Sequence, residues 1–148
     1  MKTPTETEPC RCGGPLARRK QILLVDDSVE LAQLMEFGLR AAGFDITLRH
    51  TGLQAQAHLR NEPVDLAILD VDLPDLSGFD VCEWMRADER LQSVPVIICT
   101  GRSATSDVAR ARLLGANAFI QKPFRLSELV EAVREALSPT GLPHNQER

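Results

Sequence analysis

Short apolar runs recur along the middle of the chain and alternate with stretches of mixed polarity. Five of them stand out, several rich in β-branched residues: 21–25 (QILLV), 45–48 (DITL), 65–69 (DLAIL), 94–99 (VPVIIC) and 118–120 (AFI). Their apolar residues are nearly continuous, which is typical of strands that are covered on both faces. The pattern therefore predicts the five strands of a buried parallel sheet.

The stretches between these runs have apolar residues at helical spacing. Each predicted helix has its own stripe: Val29, Leu31, Leu34, Met35 and Leu39; Leu53, Ala57 and Leu59; Phe79, Cys82, Trp84 and Met85; Val108, Ala111, Leu113 and Leu114; and Leu129, Val130, Val133 and Leu137. Gly43 and Gly115 are predicted to end the first and fourth helices, and Ser127 to cap the fifth. Five strands alternating with five helices predict a doubly wound α/β sheet with helices on both faces.

The two ends of the chain differ from this middle part. Residues 1–20 have no apolar period and are rich in Thr, Pro, Glu, Gly and Arg, which predicts a flexible leader. Residues 139–148 form a polar tail, so we expect the folded domain over 21–138. A length of 148 residues, with 43% hydrophobic and 26% charged residues, suits one compact domain. We expect no output domain after the last helix.

Charge and hydropathy narrow the classes of partner. The net charge of −4 argues against a nucleic-acid surface, which normally needs a basic excess. No apolar run approaches the roughly 20 residues that span a bilayer, and the N-terminus has no apolar signal core. We therefore predict a cytoplasmic protein with neither a nucleic-acid nor a membrane partner.

The four cysteines fit that compartment. Cys82 and Cys99 lie in patterned segments and are predicted to be small buried hydrophobic residues. Cys10 and Cys12 form a C-x-C pair in the leader, but no second pair or nearby histidine completes a structural zinc site. A leader without chemistry is the favoured interpretation of this pair, and redox or metal chemistry is the alternative.

Reactive side chains gather where the predicted strands end. They are Asp26, Asp27 and Ser28 after the first strand, Asp70 and Asp72 after the third, Thr100 after the fourth and Lys122 after the fifth. Open α/β sheets bind ligands at the carboxyl ends of their strands, so we expect these side chains to meet. The second strand, at the predicted edge, ends in Arg49 and His50 and adds nothing comparable.

Carboxylates this close together need a cation, because otherwise they repel and raise one another's pKa. A few hard oxygen ligands with room for water suit Mg²⁺, which also accepts a phosphate oxygen. Such a site brings a phosphoryl group to a carboxylate. Lys122 would then compensate charge on the phosphoryl oxygens, and the Thr100 hydroxyl would hydrogen-bond one of them.

The same residues also have purely structural interpretations. Asp27 or Ser28 caps the first helix in that alternative, and Asp27 with Glu30 spells a capping box. Lys122 is then a solvated loop lysine. Asp70 resists such an interpretation, because an acid at the end of so apolar a strand is costly without a partner.

Four segments together resemble the receiver domain of two-component response regulators. They are 22–28 (ILLVDDS), 67–82 (AILDVDLPDLSGFDVC), 96–101 (VIICTG) and 119–124 (FIQKPF), in the order and at the separations of that family. The resemblance extends over 21–137. It implies a flavodoxin-like parallel sheet of order 2-1-3-4-5, as in stand-alone, chemotaxis-type regulators.

The resemblance also assigns the chemistry. Asp70 is implied to accept a phosphoryl group from a phosphohistidine on a sensor histidine kinase or a histidine phosphotransfer protein. Asp26 and Asp27 are implied to hold Mg²⁺ together with Asp70 and the backbone carbonyl of Asp72. Lys122 is implied to bind a phosphoryl oxygen, followed by a cis bond to its proline.

A conformational switch follows from the same resemblance. Thr100 is implied to move toward the phosphoryl group and Phe119 to turn inward behind it, as a population shift between two conformations. The fourth helix, fifth strand and fifth helix are implied to form the surface for a downstream target protein. The chain is expected to be a monomer or a weak dimer.

Two further positions are implied to set the lifetime of the phosphoryl group. They are Asp72 and Arg102, each two residues after a site residue. Our hypothesis is that this oppositely charged pair closes over the phosphoryl group and slows its hydrolysis.

Three other interpretations remain open at this stage. Asp70 and Asp72 also match the D-x-D of haloacid-dehalogenase-like phosphatases, although that motif ends the first strand there. A flavodoxin-like cofactor binder shares the strand order, but an acidic pair after the first strand repels phosphate without a metal. The third is an interaction module with a receiver fold that is not phosphorylated. We favour a single-domain regulator that acts by docking.

Overall fold

A computed structural model of the chain describes residues 19–101 and 105–138. It has ten alternating elements: β1 (Gln21–Val25), α1 (Val29–Ala41), β2 (Asp45–Arg49), α2 (Gly52–Asn61), β3 (Leu66–Asp70), α3 (Gly78–Arg86), β4 (Val96–Thr100), α4 (Thr105–Leu113), β5 (Ala118–Gln121) and α5 (Leu126–Ala136). The five strands pair in parallel in the order β2-β1-β3-β4-β5. The predicted fold class and strand order are confirmed.

Each strand of the centre is buried because both faces of the sheet are covered. All five residues of β3 and of β4 are buried, as the continuous apolar runs predict. One face packs on α1 and α5 through residues such as Leu24, Ile68 and Ile97. The other packs on α2, α3 and α4 through alternating residues such as Leu23, Leu69 and Ile98. The strands therefore hold their carboxyl ends rigidly at one edge.

The buried face of several helices differs from the predicted one. Val29, Leu34, Leu53, Ala57 and Leu113 are exposed, with Leu113 at 87% the extreme case. Alanines lie against the sheet instead: Ala32 in α1, Ala55 in α2 and Ala111 in α4. Small residues let a helix approach the strands closely, so the buried face is set by packing geometry and not by the largest apolar residues.

The helix ends correct two further predictions. Ser28 caps α1, since its Oγ accepts from the backbone N–H of Leu31 at 3.4 Å, so the alternative in which Asp27 is the cap is wrong. Helix α5 begins after Arg125, whose N–H donates to Glu128 at 2.9 Å, so Ser127 is not its cap. Gly43 and Gly115 do follow their helices, in the left-handed region at φ 103° and 82°.

Cationic side chains join the helices on one face. The Arg60 guanidinium of α2 lies 5.3 Å from the ring centroid of Trp84 in α3, and Arg110 of α4 lies 4.7 Å from that of Phe79. Arg86 donates to the carbonyls of Val94 and Gly115, each at 2.9 Å. It thus ties α3 to the loop before β4 and to the loop after α4.

Some predictions concern parts of the chain that the structure does not describe. The leader lies outside the described residues except for the exposed Arg19 and Lys20, and so do Cys10 and Cys12. The tail over 139–148 and Arg102 also lie outside them. Among the described helices, none is long and apolar enough to cross a membrane.

Candidate functional site

Three carboxylates converge at the carboxyl end of the sheet. Asp26, Asp27 and Asp70 each offer an oxygen, and these oxygens all lie within 4.8 Å of one another. They meet because β1 and β3 are adjacent and parallel, with Val25 in register with Leu69. Asp26 and Asp70 are buried, at 1% and 3% exposure, whereas Asp27 is exposed. The sheet therefore builds an acidic pocket with one solvent-facing side.

Lys122, which follows the edge strand β5, reaches this pocket from the other edge of the sheet. Its Nζ donates to Asp26 Oδ2 at 2.9 Å and lies 3.5 Å from Asp70 Oδ2. The backbone N–H of Lys122 donates to the Thr100 carbonyl at 2.7 Å, and its bond to Pro123 is cis, as predicted. Lys122 is thus not the solvated loop lysine of the structural alternative. Both acidic contacts, together with burial, set its pKa: burial lowers it, but Asp26 and Asp70 raise it more.

The electrostatics of the pocket leave Asp70 short of compensating charge. Burial, and next the charge of Asp26, raise the pKa of Asp70 to about 6. Lys122 and the N–H of Asp72, which donates to Asp70 Oδ1 at 3.4 Å, oppose this rise only in part. A carboxylate so placed gains from a further cation.

Asp26 is held in place from three directions. The backbone N–H of Ser28 donates to its Oδ1 at 2.9 Å, and Lys122 holds its Oδ2. The His50 ring lies with Nδ1 2.8 Å from the backbone carbonyl of Asp26, which requires the proton on that nitrogen. His50 was not predicted as a site residue, because the end of β2 offers no side chain comparable to the acids of β1 and β3. Its position directly after a strand was the available indication.

Thr100 and Phe119, for which the resemblance implies a switch, are buried residues of neighbouring strands. Thr100 is the last residue of β4 and is fully buried. Phe119 lies in β5, in register with Ile98, and packs in the cluster under α2, α3 and α4. Cys99 and Cys82 are buried free thiols, which confirms the prediction for both, and burial raises the pKa of Cys99 to about 12.

The two residues implied to set the phosphoryl lifetime are not both described. Asp72 is exposed beside the pocket. Arg102 lies outside the described residues, so the proposed pair stays a prediction.

The loop after Asp70 contains a second residue that the sequence analysis missed. Asp75 accepts hydrogen bonds from the backbone N–H groups of Gly52 at 2.7 Å and Leu53 at 2.9 Å, at the start of α2. An acid in a proline-containing turn is unremarkable in sequence, and its partners lie more than 20 residues away. Only the folded chain shows the connection.

The donor set fits Mg²⁺. Three carboxylates with oxygens within 4.8 Å, one of them with a raised pKa and one open to solvent, match a hard cation that keeps part of its water. Asp26, Asp27 and Asp70 are the side chains that would hold it.

Comparison with known proteins agrees with this geometry. The family model described as "Response regulator receiver domain" matches residues 22–134. The chain is 40% identical over 119 residues to the DNA-binding response regulator MtrA of Mycobacterium tuberculosis, covering 80% of this chain and 51% of that protein. It is 39% identical over 121 residues to the transcriptional regulatory protein GltR of Pseudomonas aeruginosa, covering 82% and 50%. The chain thus spans about half the length of the curated relatives it matches.

Solved structures give the same result. A receiver domain protein (CheY-like) from Methanospirillum hungatei superposes with a TM-score of 0.76 at 28% identity, over 81% of this chain and 94% of that one. The signal receiver domain of a histidine kinase from Syntrophus aciditrophicus gives 0.75 at 30% identity, over 87% and 96%. The match over 22–134 leaves no room for the dehalogenase or flavodoxin alternatives. The chain belongs to the response regulator receiver domain family.

Proposed function

We propose that this receiver domain accepts a phosphoryl group from a phosphohistidine onto Asp70 in a Mg²⁺-dependent reaction, and signals by docking to another protein. The observation that supports this most is the position of the Lys122 ammonium between two buried carboxylates, 2.9 Å from Asp26 and 3.5 Å from Asp70. That arrangement gives Asp70 a cationic neighbour, Lys122, and an acidic neighbour, Asp26, with which it could share a cation.

The chemistry is a transfer between two nucleophiles. An Asp70 carboxylate oxygen attacks phosphorus, so that the O–P bond forms and the N–P bond of the phosphohistidine breaks. The electron pair stays on the histidine nitrogen, which takes a proton from solvent and leaves as a neutral imidazole. Lys122 exchanges part of its contact with the carboxylates for a phosphoryl oxygen. The Thr100 hydroxyl donates to another phosphoryl oxygen.

Asp26, Asp27 and Asp70, with the backbone carbonyl of Asp72, would hold Mg²⁺, which would neutralise the carboxylate and phosphoryl charges. The raised pKa of Asp70 supports this, because a nearby cation would stabilise the nucleophilic carboxylate that burial and Asp26 destabilise.

The output is a population shift that reaches the surface of α4, β5 and α5. Thr100 moves toward the phosphoryl group, and Phe119, now buried under α4, repacks behind it. Helix α4 suits a movable element, since its Leu113 is 87% exposed and does not hold it to the core. The partners are a histidine kinase or phosphotransfer protein upstream and a target protein downstream.

Action as a single domain in the cytoplasm, without nucleic acid, belongs to the same proposal. The acidic net charge of −4 supports the part that concerns nucleic acid, because a nucleic-acid surface normally needs a basic excess. The curated relatives named as DNA-binding match over about half of their length, so the comparison concerns their receiver part.

The experiment is intact-protein mass spectrometry after incubation with acetyl phosphate, with and without Mg²⁺. We expect one added phosphoryl group on the wild type in the presence of Mg²⁺ and none on Asp70→Asn. An adduct that persists in Asp70→Asn contradicts the assignment. No adduct from acetyl phosphate or a histidine phosphodonor, together with no Mg²⁺ binding, would instead support the interaction module that is not phosphorylated.

A further inference from the structure

The segment that follows the phosphoacceptor is closed at its base. We call residues 71–77 the acceptor loop. The N–H of Val71 donates to the Cys99 carbonyl at 2.9 Å, and the N–H of Gly78 donates back to the Val71 carbonyl at 3.2 Å. The first end of the acceptor loop is thus fixed to β4, and the start of α3 is tied back to that first end. Its tip, which lies beyond Asp72, needs a separate support.

Asp75 provides that support from the tip. Its Oδ1 accepts from Gly52 N at 2.7 Å and from Leu76 N at 2.7 Å, and its Oδ2 accepts from Leu53 N at 2.9 Å. These backbone hydrogen bonds lower the pKa of Asp75, although burial acts the other way. The carboxylate therefore stays ionised at neutral pH, and it bridges the acceptor loop to the first turn of α2.

Apolar contact reinforces this bridge. Gly52 lies so close to the acceptor loop that a Cβ added there would fall 2.6 Å from the Leu76 Cβ, closer than real side chains approach. The start of α2 and the tip of the loop thus form one packed unit.

A second acceptor at the same helix end offers a natural control. The Thr51 Oγ1 accepts from Gln54 N at 3.1 Å, so Thr51 and Asp75 divide the free N–H groups of the first turn of α2 between them. Thr51 is local to the helix. Asp75 is the acceptor that also belongs to the acceptor loop.

The same junction contacts the other acidic strand end. His50, immediately before Thr51, lies 2.8 Å from the Asp26 carbonyl, and its N–H donates to Gln54 at 3.0 Å. The connection between β2 and α2 therefore touches the backbone of Asp26 on one side and the acceptor loop on the other.

We propose that Asp75 is a positioning residue for phosphoryl acceptance, which holds the acceptor loop against α2 so that Asp70 and the Asp72 backbone keep a fixed distance from Asp26. The inference rests on the proposed function. Residues that orient metal ligands without touching the metal typically change metal affinity about 10- to 100-fold.

The test compares Asp75→Ala with Thr51→Ala in the full chain. Isothermal titration with Mg²⁺ and the initial rate of acetyl phosphate labelling are measured on both, with thermal unfolding as the check on folding. We expect Asp75→Ala to weaken Mg²⁺ binding about 10-fold or more, with most of the labelling rate restored at saturating Mg²⁺. Thr51→Ala lowers the unfolding temperature and leaves Mg²⁺ affinity within about 2-fold of the wild type, because it does not touch the loop.

Two further variants keep the proposal falsifiable if Asp75→Ala is poorly folded. Asp75→Asn keeps an acceptor oxygen and should fall between wild type and Asp75→Ala. Gly52→Ala leaves Asp75 in place and pushes on Leu76, and should weaken Mg²⁺ binding in the same direction.

The outcomes separate this inference from the proposed function. If the wild type binds Mg²⁺ and is labelled while Asp75→Ala and Gly52→Ala match it, or if Thr51→Ala weakens Mg²⁺ binding as much as Asp75→Ala does, the positioning role of Asp75 is overturned and the proposed function stands. If the wild type neither binds Mg²⁺ nor is labelled, the proposed function itself fails.

Discussion

The two edges of the sheet support the same acidic pocket by different means. From the β5 edge, Lys122 extends a charged amine to Asp26 at 2.9 Å and to Asp70 at 3.5 Å. At the β2 edge, His50 holds the Asp26 carbonyl, and the start of α2 is held by Asp75 of the acceptor loop. One edge supplies charge inside the pocket, and the other fixes the chain segments around it.

This difference predicts different consequences for the two edges. A charge contact with a buried carboxylate is strong, because the low dielectric of the pocket strengthens it. A typical hydrogen bond to a backbone group contributes about 1 kcal/mol, and one to an ionised group such as Asp75 about 1.5–3 kcal/mol. At the β2 edge such bonds fix the position of the backbone and place no charge in the pocket. Changes at the β5 edge should therefore act on the reaction itself, and changes at the β2 edge on stability and metal affinity.

Lys122→Ala, at the β5 edge, should have the largest effect of the variants considered. It removes the ammonium that the proposed phosphoryl transfer uses, so we expect the rate of acetyl phosphate labelling at saturating Mg²⁺ to fall about 100-fold or more. Lys122→Arg keeps the charge and should lose less. The measurement is the initial rate from intact-protein mass spectra. A rate within 3-fold of the wild type in Lys122→Ala, on the order expected for a surface contact, would contradict the role of this edge.

Asp70→Asn separates the reaction from the stability of the pocket. The variant cannot be phosphorylated in our proposal, yet the metal-free protein should gain about 1–2 kcal/mol of unfolding free energy near pH 8, because it no longer holds a carboxylate that burial and Asp26 disfavour. Urea unfolding measures this, with the exposed Glu131→Gln as a control for net charge.

The stability gained by Asp70→Asn should depend on pH. The pKa of Asp70 is raised in the folded protein, so the wild type binds the proton more tightly when folded and gains stability as the pH falls through about 6. The advantage of Asp70→Asn should therefore shrink from about pH 8 to about pH 5. If the difference in unfolding free energy between Asp70→Asn and the wild type did not change with pH, the pKa of Asp70 would not be raised in the folded protein.

Variants of His50 test the contribution of the β2 edge. His50→Phe keeps a ring but loses the donor to the Asp26 carbonyl, and should cost about 1 kcal/mol of unfolding free energy and a few-fold in Mg²⁺ affinity. His50→Asn keeps a donor and should retain part of both. Equal behaviour of the two variants in urea unfolding and Mg²⁺ titration would argue against the hydrogen bond.

The smallest effects are expected on the outer faces of the helices beside each edge. Leu53 in α2 is 60% exposed and Leu113 in α4 is 87% exposed, so Leu53→Gln and Leu113→Gln should each change the unfolding free energy by less than about 0.5 kcal/mol. Leu59→Ala, in the buried face of α2, should by contrast cost about 2–5 kcal/mol. A large loss in either Gln variant would mean that the side chain packs against something.

The sequence predicts the sheet and the acidic pocket well, because both depend on local patterns. Continuous apolar runs mark β1 and β3, and the acids at their ends must meet once the two strands are parallel neighbours. The phase of the helices is less predictable. Leu34 and Ala32 are both apolar, and only the distance between α1 and the sheet decides that Ala32 is the buried one.

His50 and Asp75 show a second limit. Their partners are backbone groups, and a backbone carbonyl or N–H has no residue type that a pattern can recognise. In the sequence, the strand ends can be compared only by the side chains they carry, and the end of β2 carries no acid. Its contribution depends on how the chain turns after the strand, which only the assembled fold determines.

The Arg60–Trp84 contact has a practical consequence for all of these experiments. The chain has a single tryptophan and no tyrosine, so its intrinsic fluorescence comes almost wholly from Trp84 on α3, beside the α2 guanidinium. The emission therefore reports on the α2–α3 contact, on the side of the domain that Asp75 supports. A reporter dye on α4 would be needed to follow the proposed switch, whereas the native indole already records whether α2 has shifted.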